Sequence, residues 1–128
     1  MPFYSWMLTC PANATSTWSV EVEGKAVTHI RVGFPPGPCG LLKVGIFYGE
    51  KKIWPSEEEL WFTGDGVEIA FDDYWPLPES PCPLKIVAEN MDETYEHLFY
   101  VRLKTEPLKG KERVKFRVTP EGFIEVEV

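Results

Sequence analysis

Apolar and polar residues alternate along much of this chain, and the clearest example lies in residues 29–46. Every second side chain is apolar in residues 29–34, and the same period of two returns in residues 42–46. This period is typical of a β-strand with one buried face. A corner of three prolines and two glycines, residues 35–40, separates the two segments, and neither a helix nor a continuous β-ladder can run through it. The two predicted strands therefore either pair with each other or cross between two sheets.

Similar alternation predicts further strands along the chain. These strands are centred on residues 4–8, 18–22, 51–54, 67–71, 84–88 and 99–103. Ser56 and Glu59 have the spacing of a capping box, which predicts one short helical turn, and residues 13–16 are predicted as a polar turn. Roughly eight to ten short strands, with proline corners and no long helix, favour an all-β fold. We predict a two-sheet antiparallel β-sandwich with a jelly-roll-like topology.

The last segment of the chain predicts a separate β-hairpin. If residues 120–122 form a three-residue loop, Gly122 supplies the left-handed conformation that such a loop requires. The resulting register pairs apolar residues on one face and pairs arginine and lysine with glutamate on the other. We therefore predict a β-sandwich domain over residues 1–106 and a C-terminal β-hairpin over residues 107–128. The hairpin either packs on the sandwich or serves as an assembly arm.

The amino-acid composition supports a folded domain and limits its partners. Of the 128 residues, 44% are hydrophobic and 14% are aromatic, which excludes an intrinsically disordered chain. The formal net charge of -7 disfavours binding to nucleic acid and to anionic membranes. The three cysteines have no CxxC spacing, so we expect three buried or half-buried thiols, with a disulfide between Cys39 and Cys82 as the alternative.

Residue types that support catalysis or bind metals are scarce. The chain contains two histidines, His29 and His97, and no local motif joins either of them to a nucleophile. We therefore expect no catalytic residues, no cofactor and no enzymatic activity. Acidic residues cluster at residues 72–73 and 90–93, where they either converge on Ca²⁺ or form polar turns. Because the DxDxDG pattern of a calcium loop is missing from both clusters, we predict polar turns and no metal site.

Several aromatic residues fall in connections or at strand ends and not within regular alternation. The candidate binding residues are Trp54, Trp61, Tyr74 and Trp75. Exposed tryptophan and tyrosine rings stack on sugars or fill pockets on a partner protein, but the same rings can also close the open ends of a sandwich. The sequence leaves both interpretations open.

Three segments carry a resemblance to other proteins: FPPGPCGLLKVGIFYGEKKIWPS (residues 34–56), FTGDGVEIAFDDYW (residues 62–75) and AENMDETYEHLFYVRL (residues 88–103). In these segments the chain resembles a family of small β-sandwich proteins encoded by tailed phages and environmental viral contigs. The likeness extends over roughly residues 3–105, and its motifs are structural turns, so it implies a shared fold more strongly than a shared role. It implies a virion structural or accessory protein, and none of its positions carries over as catalytic.

The resemblance and the scarcity of reactive groups lead to one functional hypothesis. We predict a non-enzymatic virion structural or accessory subunit, such as a capsid, decoration or tail component, that acts through protein-protein contacts. Its expected partners are other copies of itself and other virion proteins, and its expected location is the virion. The alternative is a jelly-roll carbohydrate-binding module in which the exposed aromatic residues contact a glycan.

Overall fold

Eight β-strands lie within the part of the chain that the structure describes. The computed structural model describes residues 3–108. In chain order the strands are β1 (Phe3–Cys10), β2 (Ala14–Val22), β3 (Ala26–Phe34), β4 (Leu42–Tyr48), β5 (Lys51–Trp54), β6 (Val67–Pro76), β7 (Cys82–Asn90) and β8 (His97–Glu106). All the strands that were predicted within this range are confirmed.

The strands form two antiparallel sheets of four strands each. The first sheet has the order β1-β8-β3-β6, and the second sheet has the order β2-β7-β4-β5. Strand β1 pairs with β8, β2 with β7, β3 with β6 and β4 with β5, as in one long hairpin that has been rolled into two layers. This connectivity is that of a jelly roll, and it confirms the predicted all-β sandwich.

The proline-rich corner at residues 35–40 is a crossing between the two sheets. Strand β3 belongs to the first sheet and β4 to the second, so the two strands do not pair with each other. The corner is fixed by Asp65, whose Oδ1 accepts hydrogen bonds from the N–H groups of Gly37 at 2.7 Å and Cys39 at 3.3 Å. Gly37 has a φ of 138°, a backbone conformation that side chains with a Cβ rarely adopt.

Inward-facing side chains of both sheets form the hydrophobic core. Its largest fully buried members include Phe34, Phe99, Ile30, Leu42, Ile46, Leu84, Ile86 and Leu103. Between the sheets, Trp18 of β2 contacts Phe99 of β8 edge to face, with 5.6 Å between ring centroids. Each fully buried side chain of this kind contributes about 1.5–3 kcal/mol. All three cysteines carry free thiols, so no disulfide joins Cys39 to Cys82. The expected burial is confirmed for Cys10 and Cys82 and is wrong for Cys39, which is exposed at the proline-rich corner.

Two local predictions are wrong. Residues 57–60 form a turn closed by a hydrogen bond from the Leu60 N–H to the Glu57 carbonyl at 3.1 Å, and the described part of the chain contains no helix. The Lys52 ammonium group donates hydrogen bonds to the carbonyls of Glu57 and Leu60, which would accept backbone hydrogen bonds in a helix. Strand β2 begins at Ala14, inside the predicted polar turn, because it pairs with β7 from that residue onward.

The predicted C-terminal β-hairpin lies outside the described residues from residue 109 onward. Within residues 3–108, no helix is long and apolar enough to cross a membrane.

Candidate interaction surface

Side chains on the outer face of the first sheet form regular rows across its four strands. The register places residues in the order β1, β8, β3, β6 within each row. The three rows are Phe3, Lys104, His29 and Asp72; then Ser5, Arg102, Arg31 and Ala70; then Met7, Tyr100, Gly33 and Glu68. Apolar and small side chains therefore lie along β1, basic side chains along β8 and β3, and acidic side chains along β6.

The middle of this face carries a basic strip, which we define as Arg31, Arg102 and Lys104. Arg31 and Arg102 are directly opposite each other on β3 and β8. Like charges in opposite positions of antiparallel strands are destabilising. The whole chain has a net charge of -7, so the strip has the opposite sign to the protein as a whole.

One side of the strip is held by neighbouring polar groups on β3 and β6. Arg31 donates from Nη1 to Glu68 Oε1 at 3.3 Å and from Nε to His29 Nε2 at 3.2 Å. Because Arg31 is always a donor, His29 accepts at Nε2 and carries its proton on Nδ1, which lies 2.6 Å from Asp72 Oδ1. Asp72, His29, Arg31 and Glu68 therefore form one continuous chain of hydrogen bonds.

The other side of the strip is held by an aromatic ring. The Tyr100 ring lies over Gly33, where a Cβ atom would collide with it. Arg102 stacks on this ring, with Cζ 4.2 Å from the centroid, and donates from Nε to Ser5 Oγ at 3.2 Å. The Tyr100 hydroxyl donates to Glu68, and this bond, together with burial, raises the pKa of Tyr100 above 10.0. The Arg102 guanidinium is thus fixed in position, and neither Arg102 nor Lys104 forms an ion pair within residues 3–108.

The strip borders both a depression and exposed apolar side chains. The depression has a volume of about 450 Å³ and is lined by Phe3, Thr28, His29, Arg31, Asp72 and Lys104. On β1, Phe3 is 56% exposed and Met7 is 60% exposed. Aromatic residues, methionine and arginine are enriched in protein-protein interfaces. Chemically, this face can bind a carboxylate beside an apolar side chain.

A second cluster lies on the outer face of the second sheet. Trp61 covers Gly45, packs against Phe47 with 5.9 Å between ring centroids, and lies 5.0 Å from the Lys52 ammonium group. Lys52 donates to the Glu57 carbonyl at 2.7 Å and to the Leu60 carbonyl. Burial lowers the pKa of Lys52, and the nearby acidic side chains oppose this effect. A pocket of about 560 Å³ is lined by Phe47, Glu50, Lys51, Lys52, Ser56, Glu58 and Trp61.

The four candidate aromatic residues do not form one site. Trp54 is only 3% exposed, and its Nε1 donates to Asp73 Oδ2 at 2.8 Å. Trp75 is half-buried against Trp54, with 5.5 Å between ring centroids, so these two rings pack together beside the core. Tyr74 is 53% exposed, and Trp61 lies apart on the second sheet. A binding role for any of the four stays a prediction.

The acidic clusters are occupied by hydrogen bonds within the chain. Asp92 Oδ1 accepts from the N–H groups of Thr94 at 2.9 Å and Tyr95 at 3.3 Å, and Oδ2 lies 2.8 Å from His97 Nε2. These contacts, chiefly the one with Thr94, lower the pKa of Asp92. Buried Asn90 ties this turn to β1 by donating to the Cys10 carbonyl at 3.2 Å. Among the described residues, no group of three or more side chains is placed to hold a metal ion.

Sequence reasoning missed the basic strip. Arg31 and Arg102 each lie on the polar side of a predicted strand, where a charged residue is ordinary. Gly33 was the available signal, since a glycine inside a strand often marks a close approach by another group. The approaching group is the Tyr100 ring, and only the pairing of β3 with β8 identifies it.

Comparisons with known proteins find likenesses in fold alone. No family model and no curated protein matches the chain. The Yersinia pseudotuberculosis-derived mitogen is 7% identical in sequence and has a TM-score of 0.48, and the match covers 87% of this chain and 92% of the mitogen chain. An Aeromonas hydrophila periplasmic inhibitor of g-type lysozyme is 9% identical, with coverages of 80% and 84% and a TM-score of 0.46. VP2 of infectious bursal disease virus is 10% identical, with coverages of 81% and 32% and a TM-score of 0.39. Likenesses this weak carry no functional argument.

Proposed function

We propose that this protein is a non-enzymatic structural subunit of a virion, such as a capsid, decoration or tail component, that works through contacts with other protein subunits. The observation that carries the proposal is the outer face of the first sheet. There, Arg102 is fixed on Tyr100 beside exposed Phe3 and Met7. Arginine and tyrosine are the residue types that most often dominate the energy of a protein-protein interface.

The rigidity of this face supports a role in protein contacts. Arg102 is held by the Tyr100 ring and by Ser5, and Arg31 is held by His29 and Glu68. A partner that binds side chains already fixed in place pays less of the entropic cost of ordering them. The face also lies on four paired strands, which move less than loops do.

Light scattering coupled to size-exclusion chromatography tests this proposal. We expect the protein to form species larger than a monomer as its concentration rises from micromolar to millimolar, or to bind virion proteins encoded by neighbouring genes. A protein that stays monomeric over this range and binds none of those proteins in pull-down assays contradicts the proposal.

The pocket beside Trp61 favours a second candidate function, the binding of a glycan. Trp61 and Phe47 offer apolar rings, while Glu50 and Glu58 supply carboxylates that can accept hydrogen bonds from sugar hydroxyls. A glycan array tests this function, with Trp61→Ala expected to abolish any binding that is found. Tyr74→Ala is the matched control, because Tyr74 is an exposed aromatic residue outside this pocket. If no glycan on the array is bound, or if both variants lose glycan binding equally, the second candidate function is contradicted.

A further inference from the structure

We propose that copies of this protein associate head to tail, with the acidic turn of one copy docked on the basic strip of the next. The acidic turn is defined as residues 57–60, and the basic strip is Arg31, Arg102 and Lys104. The inference rests on the proposed function and names the partner, which is a second copy of this chain. It is carried by charge and shape on two opposite faces of the molecule.

The acidic turn has the features of a preformed ligand. Glu57, Glu58 and Glu59 are consecutive and exposed, and Leu60 beside them is 57% exposed. The Lys52 ammonium group holds the carbonyls of Glu57 and Leu60, and the Leu60 N–H bonds to the Glu57 carbonyl. The turn therefore presents three exposed carboxylates and one exposed apolar side chain on a backbone that hydrogen bonds hold in place.

The basic strip presents the complementary arrangement. Arg102 and Lys104 supply positive charge, Phe3 supplies an exposed apolar surface next to Lys104, and a depression of about 450 Å³ lies between Phe3, Lys104 and Arg31. Carboxylates of the turn can pair with the strip while Leu60 contacts Phe3. Complementary charge of this kind steers encounter and fixes the orientation of two proteins.

A symmetric contact between two copies of the basic face is disfavoured by the same charges. If the twofold axis runs across the strands, β8 faces β8 and β3 faces β3, so the arginines of the two copies meet. If the axis runs along the strands midway between β8 and β3, these two strands face each other and Arg102 meets Arg31 of the second copy; if it runs along β3 or along β8, Arg31 or Arg102 meets its own counterpart. Like charges brought together at an interface cost several kcal/mol, which favours an acidic surface as the partner.

The two surfaces lie on opposite sides of the sandwich. The basic strip is on the outer face of the first sheet. The acidic turn is tied by Lys52 to Trp61, and Trp61 covers the outward side of Gly45 in the second sheet. One copy can therefore use both surfaces at once with two different neighbours, and such head-to-tail contacts generate rings or open rows.

A charge-swap experiment on the full chain tests the contact. The strip variant is Arg102→Glu with Lys104→Glu, and the turn variant is Glu58→Lys with Glu59→Lys. Sedimentation velocity should show self-association of the unmodified protein that weakens as salt is added. Each variant alone should have a self-association constant lower than that of the unmodified protein by about tenfold or more, because like charges then face each other. An equimolar mixture of the two variants should associate again.

Matched controls separate this contact from a general effect of net charge. Lys43→Glu with Lys85→Glu changes the net charge as much as the strip variant does, but on the second sheet. Glu21→Lys with Glu23→Lys is the same control for the turn variant. Both controls should associate as the unmodified protein does, and circular dichroism should show that all variants are folded.

Three results overturn the inference. The unmodified protein is monomeric at millimolar concentration, or its association is unaffected by salt and by the strip and turn variants, or the mixture of these variants fails to associate. In the second case, association itself persists, so the proposed structural role stands while the head-to-tail contact is rejected. Loss of both self-association and binding to other virion proteins rejects the proposed function as well.

Discussion

Both outer faces of the sandwich contain a glycine covered by an aromatic ring that contacts a basic side chain, but the two basic side chains bind different groups. On the first sheet, the Tyr100 ring covers Gly33 and carries the cation of Arg102. On the second sheet, the Trp61 ring covers Gly45 and carries the cation of Lys52. In both places a glycine leaves room for an aromatic ring, and the ring then positions a basic side chain.

The two cations differ in what they bind. The Lys52 ammonium group donates to two backbone carbonyls of the adjoining turn, so its hydrogen bonds are used inside the molecule. Arg102 lies over the Tyr100 ring and donates to Ser5, and its charge forms no ion pair within the described part of the chain. The same arrangement of glycine, ring and cation therefore shapes a loop on the second sheet and leaves a charge available on the first.

The two faces also differ in which charges lie opposite each other on neighbouring strands. On the second sheet, Lys43 of β4 is opposite Glu89 of β7, an arrangement that stabilises the pair of strands. On the first sheet, Arg31 is opposite Arg102. The repulsion on the first sheet is offset by the ion pair between Arg31 and Glu68, whereas Arg102 forms no ion pair within the described residues.

The largest expected effect comes from filling the two glycine positions. Gly45→Ala should lower the free energy of unfolding by about 1–3 kcal/mol, because the added methyl group would collide with the Trp61 ring and crowd Lys52, whose ammonium group binds the Glu57 and Leu60 carbonyls. Gly33→Ala should cost less, about 0.5–1.5 kcal/mol, because the Tyr100 ring can swing toward solvent and then loses only its bond to Glu68 and its contact with Arg102. Urea denaturation of both variants measures the difference, and an equal cost at the two positions would contradict the comparison.

The two cations should also differ in their effect on stability. Lys52→Met should lower the free energy of unfolding by about 0.5–1.5 kcal/mol, because the carbonyls of Glu57 and Leu60 lose their donor. Arg102→Met should change it by less than about 0.5 kcal/mol, since the loss of its contacts with Tyr100 and Ser5 is offset by removal of the repulsion from Arg31 opposite. Thermal unfolding followed by circular dichroism tests both values. A larger loss for Arg102→Met would mean that the strip is a structural element and not an exposed contact surface.

The smallest expected effect concerns pH and the Tyr100 hydroxyl. Its bond to Glu68 raises the pKa of Tyr100 above 10.0, so this bond stabilises the folded state below pH 10.0 and the benefit is lost as the pH rises through the raised value. Tyr100→Phe should therefore cost less than about 1 kcal/mol at neutral pH, and the difference should shrink in alkaline solution. Urea denaturation across this pH range measures it. A difference that grows with pH would contradict the assigned bond.

Alternation along single strands was enough to predict the fold class. Side chains such as Ile30 and Val32 alternate with polar neighbours, and burying them requires a sheet with one inner face whatever the order of the strands. The direction taken at the proline-rich corner could not be predicted, because its residues only forbid regular structure. The pairing of β3 with β6 and β8 decided that direction.

Predictions for single aromatic residues were less secure, as Trp54 shows. Its position before Pro55 at a strand end made an exposed ring plausible. In the structure, Trp54 pairs across from Ile46 on β4 and faces the core. A strand as short as β5 has too little alternation to show which side of it is buried, so only the neighbouring strand could settle the orientation.

Period and composition are enough to predict antiparallel strands around an aromatic and aliphatic core, because both act locally and hold in any arrangement of the strands. Which strands become neighbours depends instead on pairing between distant parts of the chain. That choice sets Arg31 opposite Arg102 and places Tyr100 over Gly33, and these residues are too far apart in the chain for any local pattern to connect them.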